Sequence, residues 1–202
     1  MKVTPVSDVL DAEITGIDLA QPPDLDTRTT LRRALYEFQV LVIKEQNLSP
    51  LQQVTFSSNW GDLEIPDNVK YTVKESNNMM VLSNEMRPDG RVAERDNVIQ
   101  PLVLVHPETA RKELHCSPHF TIGIKGMSEE EVDPILHELF SNITDRTRPY
   151  YYRHQYREWD LVMWKNRCLC HRAVGGYGLP VIRCMHRTVV GGDRAFADQQ
   201  AA

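Results

Sequence analysis

The chain has 202 residues, 41% hydrophobic, 7% aromatic and 25% charged, a composition that excludes fibrous and low-complexity classes and fits one globular domain. No apolar run approaches the ~20 residues of a membrane span, and the opening MKVTPVSDVL lacks the apolar core of a secretory leader. A net charge of −5 argues against nucleic acid as a partner, and four cysteines are too sparse for a disulfide framework, so a cytoplasmic protein with reduced thiols is expected.

In chain order, residues 3–18 read as two short strands and a turn, their apolar stretches broken by Pro5, Asp8, Asp11 and Gly16. Asp26 and Thr27 offer N-cap chemistry for a helix over 28–38, in which Leu31, Ala34, Leu35 and Phe38 share one face. Residues 39–43 (QVLVI) form a short, β-branched apolar run, hence a buried strand. Ser49-Pro50 is an N-cap followed by N1 and opens a second helix to about Asn59. Further on, 79–83 is a strand candidate, Pro88-Asp89-Gly90 a turn, and 101–105 a strand with 112–117 as its hairpin partner. Ser128-Glu-Glu-Glu starts a helix through Val132, Ile135, Leu136 and Leu139, with Pro134 in its second turn. Tyr150 to Tyr156 alternates, 160–164 (DLVMW) is a buried strand, and 184–190 is the last strand. Together these elements predict one β-rich domain with a few flanking helices.

The chemistry-bearing residues concentrate near the C-terminus. Residues 150–202 carry eight basic and four acidic side chains, which fits either a local anion site or a cationic outer face. His171 follows a strand and turn, a rigid position for a metal-binding imidazole; a surface or hydrogen-bonded core histidine reads the same way. Arg183 and Arg187 stand four apart, so in a strand both share a face. Buried, they would need an anion such as a dicarboxylate; exposed on an edge strand they would need nothing. Cys168, Cys170 and His171 have C-x-C-H rather than C-x2-C spacing, and His115 and His119 flank Pro118, so both are weak zinc patterns.

Six segments in order then resemble one family. They are Ala12-Glu13-Ile14-Thr15-Gly16-Ile17-Asp18-Leu19; Val40–Ile43 with Gln46-Asn47-Leu48-Ser49-Pro50; and His106-Pro107-Glu108-Thr109 with Arg111-Lys112. Gly126-Met127-Ser128, Asp160-Leu161-Val162-Met163-Trp164 with Asn166-Arg167 and His171-Arg172, and Met185-His186-Arg187-Thr188 with Gly192-Asp193 complete the set. This order resembles the taurine/2,4-dichlorophenoxyacetate dioxygenase (TauD/TfdA) family of iron(II)- and 2-oxoglutarate-dependent oxygenases.

The resemblance implies a double-stranded β-helix, a jelly roll of the clavaminate synthase kind, with iron held by two histidines and one carboxylate. By the same resemblance His171 is the distal iron ligand, and Arg187 pairs with the far carboxylate of 2-oxoglutarate. Arg183 is then the second arginine near bound carboxylate or sulfonate. It further implies hydroxylation of a small anionic substrate with O2, release of succinate and CO2, and a homo-oligomer with no nucleic acid or membrane partner. Two departures stand out. Lys165 replaces the acidic residue of the family's W-D-N-R, and the H-x-D element that supplies the remaining iron ligands is absent. Arg95-Asp96-Asn97 instead runs almost directly into Gln100-Pro101. A single domain interrupted near 96–97 is therefore expected, with a catalytically inactive barrel serving as a binding or assembly module as the alternative.

Overall fold

A computed structural model of the chain describes residues 1–66, 69–84, 97, 99–106, 109–176 and 178–191. The two opening strands form as predicted: β1 (Lys2–Pro5) pairs antiparallel with β2 (Ala12–Thr15). Asp24 caps α1 (Leu25–Phe38), its carboxylate accepting the Thr27 N–H at 2.8 Å. The cap therefore lies at Asp24 rather than at Asp26 and Thr27, and the helix begins three residues before the predicted Arg28. Pro22-Pro23 holds the preceding chain extended, which makes Asp24 the first residue able to cap. Gln39 ends α1 in the left-handed region, φ 62°, and donates its N–H to Leu35 O.

β3 (Val40–Ile43) follows, parallel to β2 across the α1 crossover and antiparallel to β8 (Leu161–Trp164), giving the order β1-β2-β3-β8. All four β3 residues are buried because both faces of this sheet are covered. Leu41 and Ile43 pack with Ala12, Ile14, Leu31, Leu35 and Phe56 under the helices. Val40 and Val42 pack on the opposite face with Leu10, Tyr152, Val162 and Trp164. That double coverage explains an uninterrupted apolar run where a one-faced strand would alternate. β8 itself is half-buried, less enclosed than its apolar sequence predicts.

α2 (Pro50–Ser58) carries a full capping box between Ser49 and Gln52. It leans on a second sheet of β4 (Thr72–Val73), β5 (Ser76–Ser83) and β9 (Cys184–Thr188), in that order. Ser57 Oγ and Thr188 Oγ1 lie 2.8 Å apart, tying α2 to β9. β6 (Val103–Val105) and β7 (Lys112–Leu114) form the predicted hairpin, and α3 (Glu129–Thr144) starts after Ser128, whose N–H donates to Glu131 at 2.8 Å. Residues 151–157 join no sheet, so the alternation there is not that of a paired strand.

Among the described residues nine strands stand against three α-helices and one short 3-10 turn, as the β-rich reading expects. Among those residues no helix is long and apolar enough to cross a membrane. The Pro88-Asp89-Gly90 turn, Pro107-Glu108, Asp96 at the interruption and Gly192-Asp193 lie outside the described residues.

Candidate functional site

β8 ends at Trp164, and the turn that follows brings His171 back against it, ring centroids 5.0 Å apart and tilted by 57°. His171 is exposed overall, yet partial loss of water around its ring, reinforced by the positive charge of Arg187, lowers its pKa from the ordinary value. Near neutral pH the imidazole is therefore uncharged, the form in which a ring nitrogen can ligate a metal.

Arg187 comes from β9, where it stands opposite Met80 of β5. Its Nη2 lies 3.5 Å from Met80 Sδ, while its Nε is buried without a hydrogen-bond partner. An unmet N–H on a cation is costly, and an anion supplied at this point would satisfy both the charge and the donor. The charge of Arg187 is felt at His171, which links the two residues electrostatically.

Arg183 immediately precedes β9. Like Met185 and Arg187 it is half-buried, whereas Cys184 and His186 between them are exposed, so the two arginines share a side as their spacing predicts. Its backbone is pinned to the end of β5: Arg183 N–H donates to Asn84 Oδ1 at 2.9 Å, and Asn84 N–H returns to Arg183 O at 3.2 Å. The guanidinium lies over the Tyr156 ring, 5.4 Å from its centroid.

A polar network, unassigned by the sequence motifs, lies beside this arginine. His154 Nε2 is 3.1 Å from Asp160 Oδ2, and Tyr152 OH is 2.9 Å from His154 Nδ1. Lys44 Nζ stands 3.5 Å from Asp160 Oδ1. Burial keeps His154 below its ordinary pKa despite the neighbouring Asp160. The signal for this group was the alternation of Tyr152, His154 and Tyr156.

The zinc patterns gain no support. Cys168 Sγ donates to Gln39 Oε1 at 3.1 Å, and burial pushes its pKa up to about 11. Cys170 Sγ lies 3.5 Å from Cys116 O, and both of these thiols are also raised by burial. His119 stacks edge-on against Phe120 at 4.7 Å. Lys165, at the family's acidic position, instead places its Nζ 4.7 Å over the Tyr36 ring.

Iron is not matched by the residues in hand. Among the described residues no three His, Cys, Asp or Glu side chains gather as a metal site. The one H-x-E of the sequence, His106-Pro107-Glu108, starts in the β6–β7 turn. There His106 is buried, accepts the Thr109 N–H on Nδ1 at 3.2 Å and stacks on Tyr36 at 5.3 Å, so it serves the hairpin.

Comparison with known proteins follows the same lines. The (S)-phenoxypropionate/alpha-ketoglutarate-dioxygenase of Sphingobium herbicidovorans is 34% identical over 97 residues, 48% of this chain and 32% of that protein. The alpha-ketoglutarate-dependent 2,4-dichlorophenoxyacetate dioxygenase of Cupriavidus pinatubonensis is 39% identical over 72 residues, 36% of this chain and 24% of that one. The chain thus spans about a third or less of the length of these relatives. A taurine dioxygenase from Burkholderia xenovorans shares the fold, with a TM-score of 0.80 at 22% identity over 95% of this chain and 89% of that one. The family model described as taurine catabolism dioxygenase TauD, TfdA family matches residues 2–91 and 82–189, and the chain belongs to that family.

Proposed function

We propose that this chain is the anion-binding part of an Fe(II)- and 2-oxoglutarate-dependent dioxygenase that hydroxylates a small anionic organic compound and releases succinate and CO2. The observation that carries the reading is the buried Nε of Arg187, which has no hydrogen-bond partner. A carboxylate bound there would accept from the guanidinium edge and balance its charge. Arg183, on the same side of the strand, supplies a second cation, so the two arginines suit two anions: the cosubstrate and an acidic substrate. His171 contributes one imidazole of the metal face. The interruption of this jelly-roll domain is placed near 96–97 by the lack of an H-x-D run, a little beyond the 82–91 overlap of the two matched segments. In a homo-oligomeric, cytoplasmic enzyme, the missing H-x-D segment would complete the iron set.

A second reading has its own observation. With no three-ligand cluster among the described residues, a barrel that binds anions but does not oxidise them fits the chain as it stands. Intact mass of the native gene product separates the two: a species several kilodaltons above 23.2 kDa, with about one iron per chain and succinate formation, supports the enzyme. A 23.2 kDa species without iron or succinate supports the inactive module.

The anion site is tested on either species. Arg187→Ala and Arg183→Ala should each weaken binding of 2-oxoglutarate or of a sulfonate or phenoxyacetate probe at least tenfold, measured by calorimetry, with folding retained. Unchanged affinities in both variants would remove the reading.

A further inference from the structure

We propose that Met80 is a site of reversible oxidation by peroxide, its sulfoxide oxygen taking the donors with which Arg187 would bind an anion. This rests on the anion-binding role given to Arg187 above. Met80 of β5 stands directly opposite Arg187 of β9 in an antiparallel pair, so both side chains leave the sheet on one face. Arg187 Nη2 already lies 3.5 Å from Met80 Sδ, within range of a hydrogen bond to sulfur. The Nε of the same guanidinium is buried without an acceptor. A thioether accepts only weakly, so it leaves most of that demand unmet.

Position singles out this methionine. Met79, next to it, points to the other face of the strand and is fully buried, whereas Met80 is half-buried. Met185, two residues before Arg187, stands opposite Leu82 instead. On the far side of Met80, Thr72 of β4 donates its hydroxyl to Val69 O at 2.7 Å. In the row Thr72, Met80, Arg187, the guanidinium is therefore the donor that meets the sulfur.

The chemistry balances with hydrogen peroxide as the oxidant. One oxygen atom passes to Sδ as the O–O bond breaks; the sulfur loses two electrons, and the rest of the peroxide leaves as water. The sulfoxide carries a polar oxygen on a sulfur that already touches the guanidinium. It is neutral, so Arg187 keeps its charge but gives up donors, which weakens a bound carboxylate without excluding it. A methionine sulfoxide reductase reverses the step: the oxygen leaves as water while two thiols become a disulfide.

The test treats the purified chain with hydrogen peroxide. It follows the mass of the Met80 peptide, 2-oxoglutarate affinity by calorimetry, and folding by circular dichroism. Met80→Leu is treated in parallel, because it keeps every other methionine and cysteine. In the parent, the Met80 peptide should gain one oxygen and affinity should fall about tenfold, with the fold unchanged. A methionine sulfoxide reductase should restore both peptide and affinity. The affinity of Met80→Leu should be the same before and after peroxide.

An oxidised Met80 with unchanged affinity would overturn this inference and leave the anion site standing. So would an equal loss in Met80→Leu, recovery of Met80 without recovery of affinity, or a Met80 that stays reduced while the exposed Met1 and Met127 are oxidised. Unfolding of the parent on oxidation would also overturn it, because an exchange of donors requires an intact sheet. An untreated parent that does not bind 2-oxoglutarate, or that is matched by Arg187→Ala, would overturn the site itself and this role with it.

Discussion

Asp11 lies fully buried in the turn between β1 and β2, at φ 80°, with the Tyr152 hydroxyl as a polar neighbour of its carboxylate. Desolvation raises its pKa, and the Tyr152 hydroxyl offsets only part of that rise. The folded chain thus keeps this proton to a higher pH than the unfolded chain does. Stability is lost as pH climbs from the ordinary carboxylate value of 3.8 through the raised one, and the loss persists at neutral pH. Asn tolerates positive φ and carries no charge. Asp11→Asn should therefore melt a few degrees higher than the parent at pH 7 and nearly with it at pH 3.5, as followed by circular dichroism. An equal gain at both pH values would show that charge is not the cause. At this scale the sequence was informative where residue type and spacing suffice: Arg183 and Arg187 share a side as their four-residue spacing requires. It was silent about Asp11 and Tyr152, and about His154 and Asp160 with Lys44. Those contacts exist only because the segment before β8 folds back beside β2 and β3, an alignment that no local pattern encodes.

Among the elements, α2 links local sequence to the site most directly. Its capping box satisfies backbone N–H groups at both Ser49 and Gln52. Its far end meets β9 through Ser57 and Thr188, one residue beyond Arg187. Ser49→Ala should cost about 1 kcal/mol, read as a fall of roughly 2–4 °C in Tm. Hydrogen exchange should quicken first in the opening turn of α2, and equal protection along the whole helix would contradict local fraying. Capping signals were legible here because Ser-Pro followed by Gln has few other readings. They were less so at α1, where Asp24 and Asp26 compete and only backbone geometry selects the first. The Tyr150–Tyr156 alternation has the period of a strand but no partner strand, since β3 already pairs with β8 at that edge. Pattern reports which side a residue faces, whereas pairing depends on what else arrives there.

For the whole molecule, the decisive fact is how the two matched segments are woven together. The first contributes β1 to β5, and the second contributes β8 and β9, which complete the two larger sheets by pairing with β3 and β5. Neither segment completes either of these two larger sheets alone. The overall class was legible because six motifs in order span both segments, while the lack of an H-x-D run shows only against the family's pattern. The weave also has a consequence for handling the protein in pieces. Cut at the interruption, residues 1–96 and 97–202 should each expose a long unpaired strand edge and precipitate when expressed alone. Expressed together, they should recombine as a soluble one-to-one pair that co-purifies on a tag placed on either fragment. Such a split protein would also report whether the junction accepts an added segment while the β3–β8 and β5–β9 pairings persist.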